Sequence, residues 1–234
     1  MDSLALYGGK DPRDLPRYYY SDAARATGVP ASTIGAWVRG QPYHRKHDEG
    51  YFEPVIQRPD PTDERLSYYN IIEIHVLRYL RTNADPVKLN TVREAIAVAE
   101  QEYGVKRLLI DEELRHAAGE LFLEQLGELG HLSRSGQLWM REMLRGSLKR
   151  IEWDQNKRPT NFGPVGKRPD SADKKLILVS PFVSFGSAIV ERRGISTHAI
   201  RSRFEVGEER AAIIADYRLK EEEFDEAILY ETAA

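Results

Sequence analysis

Between residues 66 and 82 the side chains of Tyr69, Ile72, Val76 and Leu80 recur every three or four positions, the period that gathers them on one face of a helix. Residues 85–104 repeat that period through Leu89, Val92, Ile96 and Ala99, and Gly104 stands where a helix C-terminus wants a residue of positive φ. The two helices are expected to pair. A short hairpin is expected next, with strands near 121–124 and 129–132, and then another amphipathic helix carrying Leu138, Leu144, Leu148 and Ile151.

The pattern breaks at residues 154–175, DQNKRPTNFGPVGKRPDSADKK, where three prolines, two glycines and scattered charges leave little to bury. This stretch reads as a linker, dividing the chain into residues 1–153, the linker 154–175 and a C-terminal unit 176–234. In that unit LILVSP and AIVER read as short strands, and helices follow in STHAIRSRF, GEERAAIIADY and KEEEFDEAILY. So small a unit favours a partner. The fold class expected is mainly α with short β hairpins: a winged helix-turn-helix, a helical middle region and a small C-terminal β-plus-trihelical domain.

Nearer the N-terminus, SDAARATGVPASTIGAWVRG has the layout of two short helices joined by a glycine turn. A helix-turn-helix needs a small residue where its helices cross, a residue of positive φ in the turn and apolar residues that hold the second helix down. Ala24, Gly28, Ile34 and Trp37 fill these roles in order. Ser21 is placed to cap the first helix, and Ser32 and Thr33 open the second with hydroxyls suited to phosphate or base edges. RYYY before the pair is expected to supply a strand, and residues 43–56 a hairpin turning at Asp48-Glu49-Gly50, which completes a winged unit.

Charge sorts along the chain. The whole of 234 residues carries a net charge of −3, so any attraction to polyanions must be local. From Arg13 to His47 six basic residues face two acidic ones, a balance suited to phosphate. From Glu205 to Glu231 ten acidic residues face three basic ones, which repels phosphate and suits a basic protein surface. Just before it, Arg192, Arg193, Arg201 and Arg203 form a separate basic group. The absence of cysteine rules out disulfides and thiolate zinc sites and fits a reducing, cytoplasmic setting. No run approaches the roughly 18 apolar residues of a membrane span, and the N-terminus lacks a secretory pattern, so no membrane association is expected.

The N-terminal unit, Tyr18 through Ile56, resembles the DNA-binding domain of MerR-type regulators. Where that family carries an arginine-aromatic pair after Thr33-Ile34, this chain has Gly35-Ala36, which shifts backbone contacts to Arg39, Arg45 and Lys46. Pro181, Gly186, Ile189, Ile195, Gly207, Tyr217, Leu219 and Phe224 match in spacing a small bacterial family of domains often paired in operons with nuclease toxins. Together these units resemble a VapB-type antitoxin of a type II toxin–antitoxin pair. The resemblance implies neutralisation of a PIN-type ribonuclease toxin and repression of a shared operon through operator DNA. DNA contacts are then expected from Arg25, Ser32, Thr33, Arg39, Tyr43, Arg45 and Lys46, and toxin contacts from Glu221, Glu222, Glu223, Asp225 and Glu226.

Catalysis is not expected, nor is any cofactor or metal. His44 and His47 lie three apart in an expected strand and point to opposite faces, SFGSA lacks the spacing of a nucleophile elbow, and phosphate-binding glycine motifs are absent. Two alternatives to the antitoxin stay open: a stand-alone transcriptional regulator whose middle or C-terminal domain senses a small ligand, and a protein-interaction adaptor. A homodimer is expected from paired operator half-sites, with the helices near 66–81 and 137–151 as candidate interfaces.

Overall fold

The computed structural model describes residues 7–45, 48–81, 88–111, 117–131 and 133–233. Helices Tyr20–Thr27 (α1) and Ala31–Arg39 (α2) form the expected pair. Gly28 ends α1 at φ 71° and its amide donates to the Ala24 carbonyl at 2.8 Å, while Ile34 and Trp37 are buried beneath α2. Ser21 lies inside α1 and cannot cap it; the carboxylate of Asp22 takes that role by accepting the Tyr19 amide at 2.8 Å. Of RYYY, only Tyr18 pairs as a strand residue, in a bridge to Leu66, because Tyr20 already starts α1.

Strands Gln41–Arg45 (β1) and Asp48–Phe52 (β2) pair antiparallel with Arg45 opposite Asp48, so Asp48, Glu49 and Gly50 are strand residues and not the turn expected there. Gly40 joins α2 to β1 at φ 74° and ψ −176°, where a Cβ would lie 2.2 Å from the Phe52 carbonyl oxygen. Only glycine fits there. The Trp37 carbonyl accepts the amides of Val55 and Ile56 at 2.9 and 3.1 Å, which fixes the wing to the end of α2.

Helix Tyr68–Arg81 (α3) is buried on every side, with Ile71, Ile72, Ile74, Val76, Leu77 and Leu80 all inaccessible to solvent. It packs on α1 and on Arg134–Leu148 (α6), while Leu89–Tyr103 (α4) packs on Ala117–Leu129 (α5). The expected pairing of α3 with α4 gives way to this exchange because α3 has no face left over. Its burial also removes residues 66–81 as a dimer interface. The hairpin expected over 121–132 is not formed: Leu121–Glu124 lies within α5, where Ala118, Phe122 and Leu126 share a buried face, and position 132 falls outside the described residues. On α6, Leu144 and Leu148 are buried, Leu138 is 58% exposed, and Ile151 lies beyond it in a strand.

Residues 154–175 are anchored at several points, with Pro159, Phe162, Gly163, Pro164 and Ser171 buried. Ile151–Trp153 (β3) pairs with Pro159–Phe162 (β4), and Phe162, itself fully buried, bridges to Val179. Buried Arg150 donates through Nη1 to the carbonyls of Gly163 and Pro164 at 3.1 and 2.9 Å and through Nη2 to that of Ala172. Prolines keep this strap out of helix, and a buried guanidinium gathers the carbonyls that no secondary structure uses. The C-terminal unit follows: Ile177–Leu178 (β5), Ile189–Val190 (β6) and Ile195–Ser196 (β7) form an antiparallel sheet in that order, and Thr197–Glu205 (α7), Arg210–Tyr217 (α8) and Glu221–Thr232 (α9) pack over a second core of Ile177, Val190, Ile200, Ile213, Phe224 and Tyr230. The fold is mainly α with short antiparallel hairpins, and α9 rests against α1.

Candidate nucleic-acid interface and acidic helix

Ile34, Trp37 and Val38 anchor α2 from below and leave Ser32 exposed and Thr33 half-buried on its outer side. Arg39, exposed at the end of α2, holds its guanidinium 5.2 Å from the Tyr20 ring centroid. Beside Ser32 and Thr33 runs a groove of about 570 Å³ that also takes in Gln41, Arg81, Lys88 and Asn90. Sequence reasoning missed Arg81 and Lys88, because only folding brings α3 and the start of α4 beside α2. The backbone of Tyr43 and Arg45 lies in β1, their side chains are not described, and Lys46 lies outside the described residues.

The basic segment does not form one face. Arg13 is buried between Asp11 and Asp154, at 2.9 and 2.8 Å, and its charge and hydrogen bonds hold the Asp11 carboxyl below its usual range against the rise that burial gives. Arg25 pairs with Asp22 on α1, and its carbonyl accepts the Lys167 ammonium at 2.8 Å, which turns this residue toward the strap. Of the expected DNA contacts, Ser32 and Thr33 share the groove, Arg39 lies at the end of the same helix against Tyr20, and Arg25 stands apart. Glu73 and Arg107 form another internal pair, bidentate at 2.9 Å.

The acids of α9 are also largely spoken for. Glu223 is 3% exposed and takes two hydrogen bonds of 2.7 Å from Arg192 while accepting the Lys220 amide that starts α9. Burial would raise its pKa, and the Arg192 bonds bring it below the ordinary carboxylate value. Glu226 is 2% exposed and accepts the Lys167 amide and the Ser171 hydroxyl. Asp225 bonds Arg168 and Arg210 at 3.2 and 2.8 Å, Glu222 pairs with Lys174, and Glu221 pairs with Arg210. The negative charge of this segment is matched by basic side chains up to 57 positions away, and on α9 Glu221 is exposed while Glu222, Asp225 and Glu231 are half-buried. Next to them, Phe204, Leu229 and Ile228 line a shallow groove of about 450 Å³ rimmed by Arg168, Arg210 and Asp225.

Among the described residues no three His, Asp or Glu side chains come together as a metal site requires, and no helix is long and apolar enough to cross a membrane. No known family profile matches the chain. It is 23% identical to a protein of Mycobacterium tuberculosis described as "Putative antitoxin VapB45", over 92% of this chain and 93% of that one. A crystal structure of Rv2018 from Mycobacterium tuberculosis superposes with a TM-score of 0.64 at 16% identity, covering 92% of this chain and 98% of the other. The likeness spans both units and the strap between them, and it shows a shared fold.

Proposed function

We propose that the chain is an antitoxin that binds operator DNA through α2 and neutralises a ribonuclease toxin through its C-terminal unit. The observation that carries the DNA half is the placement of Ser32, Thr33 and Arg39 on the open side of a helix clamped by Ile34, Trp37 and the wing. A helix so held can present short donors and a cation to a major groove and its flanking phosphates. Arg81 and Lys88 add phosphate-seeking charge beside it.

Similarity to a protein described as an antitoxin supports the toxin half. The contact surface proposed is the groove of Phe204, Ile228 and Leu229 with its rim of Arg168, Arg210 and Asp225, an apolar centre bordered by charge of the kind that protein interfaces use, together with Glu221 and Glu222 at the start of the same helix. Glu223 and Glu226 hold that surface from beneath without touching a partner. A homodimer through α6, where Leu138 is exposed, would set two α2 helices on paired half-sites.

The test is co-expression with the reading frame adjacent to this one in its genome. Growth arrest by that neighbour alone, relieved by this chain but not by its Phe204→Asp, Leu229→Asp variant, is the expected result. A harmless neighbour that does not co-purify with the chain would replace the antitoxin with a stand-alone regulator.

A further inference from the structure

Two buried hydrogen-bond donors without partners converge on one cavity. Tyr18 is 7% exposed, and its hydroxyl has no hydrogen-bond partner among the described residues. Its neighbour Arg17 stacks 5.4 Å from the Tyr7 ring centroid, with Nη1 buried and likewise unpartnered. Both line a cavity of about 310 Å³ between α1 and the C-terminal unit. A buried donor left unmatched is destabilising, so two at one place are unfavourable unless something fills it.

The rest of the lining explains what is missing. Thr197 and His198 bring the first turn of α7; the Thr197 amide donates to the Ala188 carbonyl at 3.0 Å, but N-cap Ser196 makes no side-chain cap bond, so the next amides of that positive helix end lack a side-chain cap. Gly186 sits at φ 82°, and a Cβ there would fall 2.4 Å from the Tyr18 hydroxyl, so the glycine keeps that donor accessible. The acids nearby are already engaged: Asp22 with Arg25 and the Tyr19 amide, Glu231 with the Thr197 hydroxyl. Burial raises the Tyr18 pKa, which keeps the phenol protonated and able to donate. A cation, a phenol and a helix N-terminus aimed at one space lack only an acceptor with several oxygens.

We infer that this cavity binds a small phosphate-bearing ligand, whose phosphate takes hydrogen bonds from Arg17 Nη1, the Tyr18 hydroxyl and the His198 amide in the first turn of α7. Its volume lies at the small end of ligand pockets, which suits a phosphomonoester of sugar size. The site touches neither the outer face of α2 nor the Phe204 groove, so it stands whether or not the antitoxin assignment does.

Isothermal titration calorimetry of the full chain with inorganic phosphate and ribose 5-phosphate, and with ribose as the neutral control, tests it. Saturable binding of either phosphate compound and none of ribose is expected, weakened about tenfold or more by Arg17→Gln and by Tyr18→Phe. In the ligand-free chain Tyr18→Phe is expected to leave Tm unchanged or raised, since it removes an unmatched buried hydroxyl. No heat with either compound at millimolar concentration, affinity indifferent to both substitutions, or a lower ligand-free Tm for Tyr18→Phe would each overturn the inference.

Discussion

The hydroxyl of Ser171 donates to the buried carboxylate of Glu226 across 2.6 Å, and the Lys167 amide donates to the same carboxylate. This acid is the buried one of three that tie the proline-rich strap to α9, beside the more exposed pairs Arg168–Asp225 and Lys174–Glu222. Glu226→Ala should therefore cost about 2–3 kcal/mol of stability, because it leaves an amide and a hydroxyl unmatched in the interior. Glu222→Lys, at an exposed ion pair with Lys174, should change stability by about 0.5 kcal/mol or less. Urea unfolding of both variants checks the contrast; equal midpoints would mean that Glu226 is no tether.

Gly40 is expected to be intolerant of any side chain. A methyl group there meets the Phe52 carbonyl at 2.2 Å in a backbone region that only glycine adopts without strain. Gly40→Ala should lose about 2 kcal/mol or more and weaken DNA binding with it, since the junction orients the wing against α2. Gly104→Ala offers the control: its φ is also positive, at 64°, but its Cβ would meet nothing within 4 Å, so about 1 kcal/mol is expected from backbone strain alone. Thermal denaturation of the two variants side by side distinguishes the clash from the strain.

His75 gives the fold an acid-sensitive point. Burial pushes its pKa down to about 3, the fields of Arg78 and Arg150 add to the shift, and the Ser147 carbonyl, 3.1 Å from Nε2, opposes it. The folded chain thus keeps the ring neutral where the unfolded chain, at an ordinary 6.5, takes up a proton. The stabilising contribution is complete above about pH 6.5 and is lost as pH falls toward 3, at a slope of about 1.4 kcal/mol per pH unit. His75→Leu should remove that slope, whatever it does to stability at neutral pH. Unfolding free energies measured between pH 4 and 8 decide it; parallel pH profiles for the two chains would contradict the assignment.

The α1–α2 pair was legible because its constraints are local: Ala24, Gly28, Ile34 and Trp37 fall within fourteen positions of one another, and in the folded pair Gly28 ends α1 while Ala24, Ile34 and Trp37 are buried. The strap was not. Its prolines and charges look unpackable until Arg150 and Glu226, far apart in the chain, collect its carbonyls and amides. Leu121 and Leu123 alternate as a strand would, yet Ala118, Phe122 and Leu126 bury a helical face, and Gly127 lets α5 approach Gln137 so closely that a Cβ would sit 2.6 Å from it. Charge counting misled for a related reason. A run of like charges says nothing of where its counter-charges fold, and so Arg13, Arg25 and Glu223 were assigned to surfaces when each has a partner inside the protein.

The contact on which the proposed function turns is that of α2 with DNA. Fluorescence anisotropy of a labelled fragment from upstream of the chain's own coding sequence, titrated over a range of salt concentrations, measures that contact. The expected result is binding tighter than to a scrambled fragment, a log affinity that falls linearly with log salt, a slope reduced by about one in Arg39→Ala, and specificity weakened in Ser32→Ala, Thr33→Ala but retained in Arg25→Ala. Equal affinity for the scrambled fragment, or binding indifferent to salt and to Arg39, Ser32 and Thr33, would contradict it.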